Sequence, residues 1–398
     1  MAAHRRQSTP ASQEAGALRA ASAASDVGSR GGVARVGRRL HVIAKSLLRL
    51  FARPMKSDRG EGGPVVHPYR GYGSHHEAFL MGRVFRQVGL ARVIPRRGAL
   101  RDAADVTRRL ARRGFSDAEV RIRLGENTAT VTTDHDGYFD VRLPLDVPLD
   151  EHISWHRAEL EVITPDRENV RTRADVYIPP PNTDLMVISD IDDTVMHTGV
   201  ADKLRMLYRL FVEKAHRRTA FPGVAEFYQA LHAGTAGDAR RPILYVSRGP
   251  WSIYEVLEAF FQLNHIPVGP ILFLREWGIS WRHPWPRRAE DHKYDLITQM
   301  ITLFGDLPCV LIGDSGQHDP EVYTRIVKEN PGRVKAIYIR RVDRKTDRET
   351  AIARLRDEIE HTDCELLLSD DSAAMAAHAH ERGYISETGL HAVRQASR

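Results

Sequence analysis

The sequence predicts an α/β protein in which a small antiparallel β-sandwich precedes a parallel, doubly wound sheet. Three observations carry this reading. From about residue 66 to 182 apolar and polar residues alternate, as in Val120, Ile122 and Leu124 or Ala158, Leu160 and Val162, and a period of two marks half-buried strands. From residue 184 onward, short unbroken apolar runs (Leu185–Ser189, Ile243–Ser247, Ile271–Phe273, Cys309–Gly313, Val334–Ile339) alternate with helical stretches, the pattern of buried parallel strands. Between the two regions, Pro179-Pro180-Pro181 forms a stiff connector.

Taken in chain order, residues 1–32 are rich in Ala, Ser, Gly and Arg and hold too few large apolar residues to offset the entropy of ordering, so they predict a disordered basic tail. In residues 33–54, Val36, Leu40, Ile43, Leu47, Leu50 and Phe51 recur at helical spacing with arginines on the other faces, and Pro54 ends the run: a basic amphipathic helix. Such a helix either lies on an anionic membrane surface or packs on the protein body. The crowding of arginines on its polar face favours a membrane contact through residues 33–53. Residues 66–182 are the expected sandwich domain, with turns at Gly125-Glu126-Asn127 and Asp134-His135-Asp136-Gly137. The second turn lacks the further ligands of a calcium loop and reads as a plain turn. Residues 184–366 hold the parallel sheet, and residues 367–398, without a clear strand, read as a mobile C-terminal tail.

The bulk numbers bound the function. A chain of 398 residues exceeds one ordinary core, and 42% hydrophobic with 28% charged residues excludes a wholly disordered or fibrous protein. Of the net charge of +6, residues 1–60 alone hold +9, so the basic character belongs to the N-terminal arm and the body is slightly acidic. With no recognition motif, specific nucleic-acid binding is not expected. Cys309 and Cys364 are too few for a disulfide framework and lack the paired spacing of a zinc site, which points to a reducing compartment. No secretory signal or apolar run of membrane-spanning length is visible, so the expected location is cytoplasmic, peripheral to the inner face of a membrane. The oligomeric state is not legible.

The informative segment is Leu185-Met186-Val187-Ile188-Ser189-Asp190-Ile191-Asp192-Asp193-Thr194, a buried strand that runs into three carboxylates. Carboxylates at the C-terminal end of such a strand lie where α/β sheets bind ligands. Three acids in four residues repel one another unless a cation or proton neutralises them, and a hard divalent ion such as Mg2+ suits carboxylates that also face a phosphate. Because Asp190 and Asp192 alternate with Ile191, an extended backbone projects them the same way, giving one nucleophile and one acid/base. Ser247, ending the strand Ile243–Ser247 ahead of Arg248-Gly249-Pro250, either holds a phosphoryl oxygen or simply caps the helix that follows. Lys293 opens a helix with Leu296, Ile297, Ile301 and Phe304 on its buried side and could neutralise a phosphoryl group together with Asp190. Strand Cys309–Gly313 ends in a second acidic turn, Asp314-Ser315-Gly316-Gln317-His318-Asp319-Pro320, where Asp314 would bind the metal and Asp319 complete or orient its shell.

In order, an acid pair with threonine, a serine, a lysine and a glycine-aspartate turn resemble the four motifs of the haloacid dehalogenase superfamily. More narrowly, Asp190–Thr194, Phe221-Pro222-Gly223-Val224, the strand before Ser247 and the run Gly313–Tyr323 resemble the phosphatidate phosphatase catalytic-domain family over about residues 184–345. The resemblance implies a haloacid dehalogenase-like Rossmannoid sheet and Mg2+-dependent hydrolysis of phosphatidate to diacylglycerol and phosphate. It further implies that Asp190 forms an aspartyl-phosphate while Asp192 protonates the leaving alkoxide and then activates water. The expected site is therefore Asp190 and Asp192 as catalytic residues. Thr194, Ser247, Arg248 and Lys293 would bind phosphate, and Asp190, Asp192, Asp314 and Asp319 would bind the metal.

Two segments speak for a lipid substrate without the resemblance. Residues 204–211 are more apolar than an ordinary loop, and Trp277, Trp281 and Trp285 lie among Arg282, Arg287 and Arg288, pairing rings with cations as interfacial surfaces do; the other reading is an ordinary helix packed on the core and tryptophans that fill a long loop. The alternatives are a soluble phosphomonoesterase acting on sugar or nucleotide phosphates, and a non-catalytic membrane adaptor.

Overall fold

The computed structural model describes residues 64–86, 114–163, 168–191, 221–247, 251, 254–273, 289–342 and 346–398. The N-terminal tail and amphipathic helix, the segments 204–211 and 277–288, and Asp192, Asp193, Thr194 and Arg248 lie outside these residues.

The first unit contains β1 (Pro64–Pro68), β2 (Gly71–Gly73), β3 (Glu77–Arg86), β4 (Glu119–Leu124), β5 (Asn127–Thr132), β6 (Tyr138–Pro144), β7 (Trp155–Val162) and β8 (Val170–Tyr177). Hydrogen bonding joins all eight into one sheet in the order β1-β3-β2-β8-β7-β4-β5, with β6 on the opposite edge of β3. Every pair is antiparallel except β2 with β8. The alternation read in the sequence is the alternation of burial: Val120, Ile122 and Leu124 face a core with Ala158, Leu160, Val162 and Leu80, while Arg121 and Arg123 face solvent. In the turn before β6, the Asp134 carboxylate accepts from the amides of Asp136 and Tyr138 at 2.9 and 2.8 Å, which closes a plain Asx turn.

The second unit is a six-stranded parallel sheet of β9 (Met186–Asp190), β10 (Ile243–Ser247), β11 (Ile271–Phe273), β12 (Cys309–Asp314), β13 (Val334–Arg340) and β14 (Glu365–Ser369), in the order β11-β10-β9-β12-β13-β14. Its helices are α1 (Val224–Ala233), α2 (Tyr254–Leu263), α3 (Ala289–Leu303), α4 (Asp319–Glu329), α5 (Thr346–Glu358), α6 (Ser372–Glu381) and α7 (Glu387–Ala396). Because side chains alternate across a strand, Val187 joins a core with α1, α2, α6 and α7, whereas Met186 and Ile188 join another with α3, α4 and α5. Helices therefore cover both faces, which explains why these strands read as unbroken apolar runs.

The strand order fixes where a site forms. The chain runs outward from β9 through β10 and β11, then returns to β12 and runs outward the other way. The strand order reverses between β9 and β12, the place where open α/β sheets bind ligands, and Asp190 and Asp314 stand at the C-terminal ends of these two strands.

The expected mobile tail at 367–398 is corrected by the structure. β14 extends to Ser369, Asp371 and Ser386 cap α6 and α7 through their side chains, and Met375, Ala376, Ala379, Leu390 and Val393 are buried in the core on the α1 face. Alanines supply little apolar signal, yet their size lets α6 and α7 lie close to the rest of the unit. Gly223 shows the same closeness from the other side. It precedes α1 with φ +73°, and a Cβ there would stand 2.2 Å from Ser397 Oγ, which accounts for the glycine in Phe221-Pro222-Gly223-Val224.

The two units touch through aromatic rings. Tyr69, between β1 and β2, stacks on Trp251 (5.3 Å, 8°) and on Tyr254 of α2 (4.1 Å, 27°). The Arg70 amide donates to Tyr254 Oη at 2.9 Å, Arg70 pairs with Glu258, and Tyr177 Oη donates to the Arg240 carbonyl at 2.8 Å.

Candidate active site

Asp190 ends β9 and follows the parity of Met186 and Ile188, which turns its carboxylate toward the face covered by α3 and α4. Both helices send a residue to meet it. Lys293, near the start of α3, places Nζ 2.8 Å from Asp190 Oδ1 and donates to Asp319 Oδ1; Asp319 is the first residue of α4. The second oxygen of Asp319 accepts from the Asp314 amide at 3.1 Å. Asp314 Oδ1 accepts from the amides of Gly316 (2.7 Å) and Gln317 (2.9 Å), so the turn after β12 wraps its own carboxylate. Asp190, Asp314 and Asp319 are 0% exposed and Lys293 1%, and one oxygen from each carboxylate fits within 4.8 Å of the others.

Close approach here depends on an absent side chain. A Cβ at Gly313 would lie 2.5 Å from Asp319 Oδ2, 2.7 Å from Asp319 Cβ and 2.8 Å from the Tyr323 ring. Tyr323 sits beneath the cluster and donates to the Ile312 carbonyl at 3.0 Å. Burial, and then the negative charges of Asp319, Asp190 and Asp314, push its phenol well above the usual range, so it stays protonated as a donor.

Three buried carboxylates against one ammonium leave two formal negative charges in this cluster. Buried charge of that size is costly unless compensated, and an all-oxygen donor set from β9, β12 and α4 is the chemistry that suits Mg2+. The residues present therefore fit a hard divalent cation.

Ser247 ends β10 one residue beyond Val246, which is in register with Asp190, and it is fully buried. The structure thus brings Asp190, Ser247 and Asp314 to the same end of three adjacent strands, β10-β9-β12, and gathers Lys293 and Asp319 against them. Asp192, Thr194 and Arg248 lie outside the described residues.

Several supporting residues carry no motif in the sequence. Tyr228 of α1 shares a short hydrogen bond with Ser189, whose hydroxyl also donates to the Asp190 carbonyl at 2.9 Å. Burial raises the Tyr228 phenol, so it too stays neutral beside Asp190. Arg340, ending β13 in register with Asp314, is 3% exposed; its guanidinium lies 4.2 Å over the Phe221 ring and donates to Ser372 Oγ at 2.8 Å. No residue spacing announces these partners, because each comes from a different helix or strand of the sheet.

Residues 185–341 match the sequence profile of the family described as phosphatidate phosphatase APP1, catalytic domain. Phosphatidate phosphatase APP1 of Saccharomyces cerevisiae is 32% identical over 154 residues, which is 39% of this chain and 25% of that protein. An uncharacterized protein of Schizosaccharomyces pombe is 26% identical over 214 residues, 53% of this chain and 34% of that one. The chain thus spans about a quarter to a third of the length of these relatives. A solved carbohydrate acetylesterase from Xanthomonas citri aligns at 10% identity over 73% of this chain and 72% of that one, with a TM-score of 0.24, too low to bear on the fold. Over residues 185–341, the chain resembles the phosphatidate phosphatase APP1 catalytic-domain family.

Proposed function

We propose that this chain is a Mg2+-dependent phosphatidate phosphatase of the haloacid dehalogenase type, releasing phosphate and leaving diacylglycerol. The observation that carries the reading is the buried Lys293 ammonium set between Asp190 and Asp319, with Asp314 closing the cluster at the C-terminal end of β9 and β12. In an ordinary structural ion pair, one carboxylate balances one ammonium. The excess of buried negative charge makes sense as a site that takes a cation and a phosphoryl group together. The parallel order β11-β10-β9-β12-β13-β14, with helices on both faces and the reversal at β9/β12, supports the Rossmannoid reading.

In this account Asp190 is the nucleophile. Its strand holds it rigidly, and Lys293 keeps it ionised and turned toward the incoming phosphorus. Lys293 also offsets charge on the phosphoryl oxygens, while Ser247 at the end of β10, with Thr194 and Arg248, binds them. Asp192 gives its proton to the departing alkoxide and then takes one from the water that opens the aspartyl-phosphate. Bound Mg2+ would neutralise phosphoryl charge. Asp190 and Asp314 would hold it through their carboxylates, and Asp192 through a backbone oxygen, which leaves its carboxyl free to carry the proton. Asp319, whose two oxygens already accept from Lys293 and from the Asp314 amide, would orient the set.

The match to a phosphatidate phosphatase catalytic domain and the basic amphipathic segment 33–53 support a lipid substrate taken at an anionic membrane surface. Among the described residues no helix is long and apolar enough to cross a membrane. Phosphate release from dioctanoyl phosphatidate in micelles, measured beside a soluble sugar phosphate with Mg2+ and with EDTA, tests the substrate class. The reading expects Mg2+-dependent release from the lipid; preference for the soluble ester would replace phosphatidate with a small phosphomonoester.

A further inference from the structure

The turn that wraps Asp314 is itself held from outside, by a residue beyond the segment that matches the catalytic-domain family. Arg348 lies on α5, past residue 341. Its Nε donates to the Ser315 carbonyl at 2.7 Å, and its Nη2 donates to the Gln317 carbonyl. Between those two carbonyls lie the amides of Gly316 and Gln317, the pair that donates to Asp314 Oδ1. One of these connections is a direct relay: the Ser315 carbonyl and the Gly316 N–H belong to the same peptide unit, so a cation on the oxygen polarises the N–H that clamps the carboxylate. Two further guanidinium hydrogens go to Glu321 in the first turn of α4, with Nη2 donating to Oε2 at 3.0 Å and Nη1 donating to Oε1. Burial alone would raise the Glu321 carboxyl, but the hydrogen bond from Arg348, a backbone amide and the nearby positive charge of Arg348 together outweigh it and hold the carboxyl below the usual range.

Resting on the reading of the cluster as a Mg2+ site, we propose that Arg348 is a positioning residue for the metal. It brackets the Asp314–Asp319 turn and ties it to α4, fixing the angle at which Asp314 faces Asp190. A planar fork suits this task because it reaches two carbonyls and a carboxylate at once; a lysine ammonium, with a single nitrogen, cannot span all three. Residues that orient metal ligands from outside the ligand set typically change affinity by about 10- to 100-fold when removed.

The test is calorimetric binding of Mg2+ to the full chain, with its thermal melt, for the natural sequence, Arg348→Met, Arg348→Lys and Glu321→Gln. Arg333→Met is the matched control. That arginine also braces backbone carbonyls, donating to Ile301 in the last turn of α3 and to Leu307 beyond it at 3.3 and 3.1 Å, but at the opposite end of β12. The inference expects the Mg2+ dissociation constant to rise about 10- to 100-fold in Arg348→Met and less in Arg348→Lys. It expects Arg333→Met to lower the melting temperature with affinity unchanged. A folded Arg348→Met that binds Mg2+ as the natural chain does would overturn it. If that variant does not fold, Glu321→Gln, which loosens the fork without removing it, decides: a weaker Mg2+ affinity supports the inference and an unchanged one overturns it. Absence of Mg2+ binding by the natural chain overturns the metal reading along with it.

Discussion

Replacing Lys293 by Met keeps the length of the side chain and removes its ammonium. Lys293 is 1% exposed and Asp190 0%, with 2.8 Å between Nζ and Oδ1, so solvent screens little of the interaction. At an effective dielectric of about 20, one such contact is worth about 6 kcal/mol before desolvation is counted. Breaking a buried pair by removing one partner typically costs about 3–5 kcal/mol net, because the other charge is left buried. For a unit of this size each kcal/mol moves the melting temperature by about 2–4 °C, so a fall of roughly 6–20 °C is expected without divalent cation. Saturating Mg2+ should recover part of that loss, since the variant holds more uncompensated negative charge than the natural chain. Activity should not recover. Loss of one preorganised charge facing the phosphoryl oxygens costs about 10²- to 10³-fold in kcat. Differential scanning fluorimetry with and without Mg2+, alongside phosphate release at saturating Mg2+, reads both effects. A Lys293→Met chain with natural turnover, or with an unchanged melt in EDTA, would refute the reasoning.

Further perturbations separate the parts of the account. Gly313→Ala forces a Cβ to within 2.5 Å of Asp319 Oδ2, and should cost about 1–3 kcal/mol in denaturant unfolding while weakening Mg2+ activation. Tyr69→Ala removes the ring stacked on Trp251 and Tyr254, and should cost about 3 kcal/mol in the same assay; because Trp251 lies only four residues after Ser247 in the sequence, KM should rise more than kcat falls. Hydrogen bonding from Arg241 holds the Asp184 carboxyl below its ordinary value, so this contribution to stability is complete above about pH 4 and is lost as pH falls through the lower folded value; Asp184→Asn should flatten that acid limb in a pH series of melts. Removing residues 1–54 should abolish co-sedimentation with phosphatidylserine vesicles at low salt while leaving hydrolysis of a micellar substrate intact.

The sequence shows the strands well and the partners poorly. The five apolar runs from Leu185 to Ile339 coincide with β9 to β13, because strands covered on both faces must be apolar throughout. Asp190, Asp314 and Asp319 were also visible, since acids just beyond such strands are conspicuous, and Ser247 and Lys293 stood out only by their order along the chain between them. What pattern could not show is which side chain meets which. That Lys293 lies between Asp190 and Asp319 depends on α3 and α4 sharing the face of Ile188, a consequence of strand order. Arg348 reads as one more charge in a polar surface helix until the turn of Asp314 is seen against it. The region 367–398 was misread for a related reason. Alanine, glycine and histidine give weak periodicity, and the fit of α6 and α7 comes from small size and side-chain caps rather than from large apolar residues.

The central claim is that Asp190 carries the phosphoryl group during turnover. Rapid acid quench of the full chain with radiolabelled dioctanoyl phosphatidate, with Mg2+ present, tests it most directly. The account predicts transient labelling of the protein that hydroxylamine releases and that is absent in Asp190→Asn. Steady phosphate release by Asp190→Asn at the natural rate, or a label that survives in that variant, would contradict it.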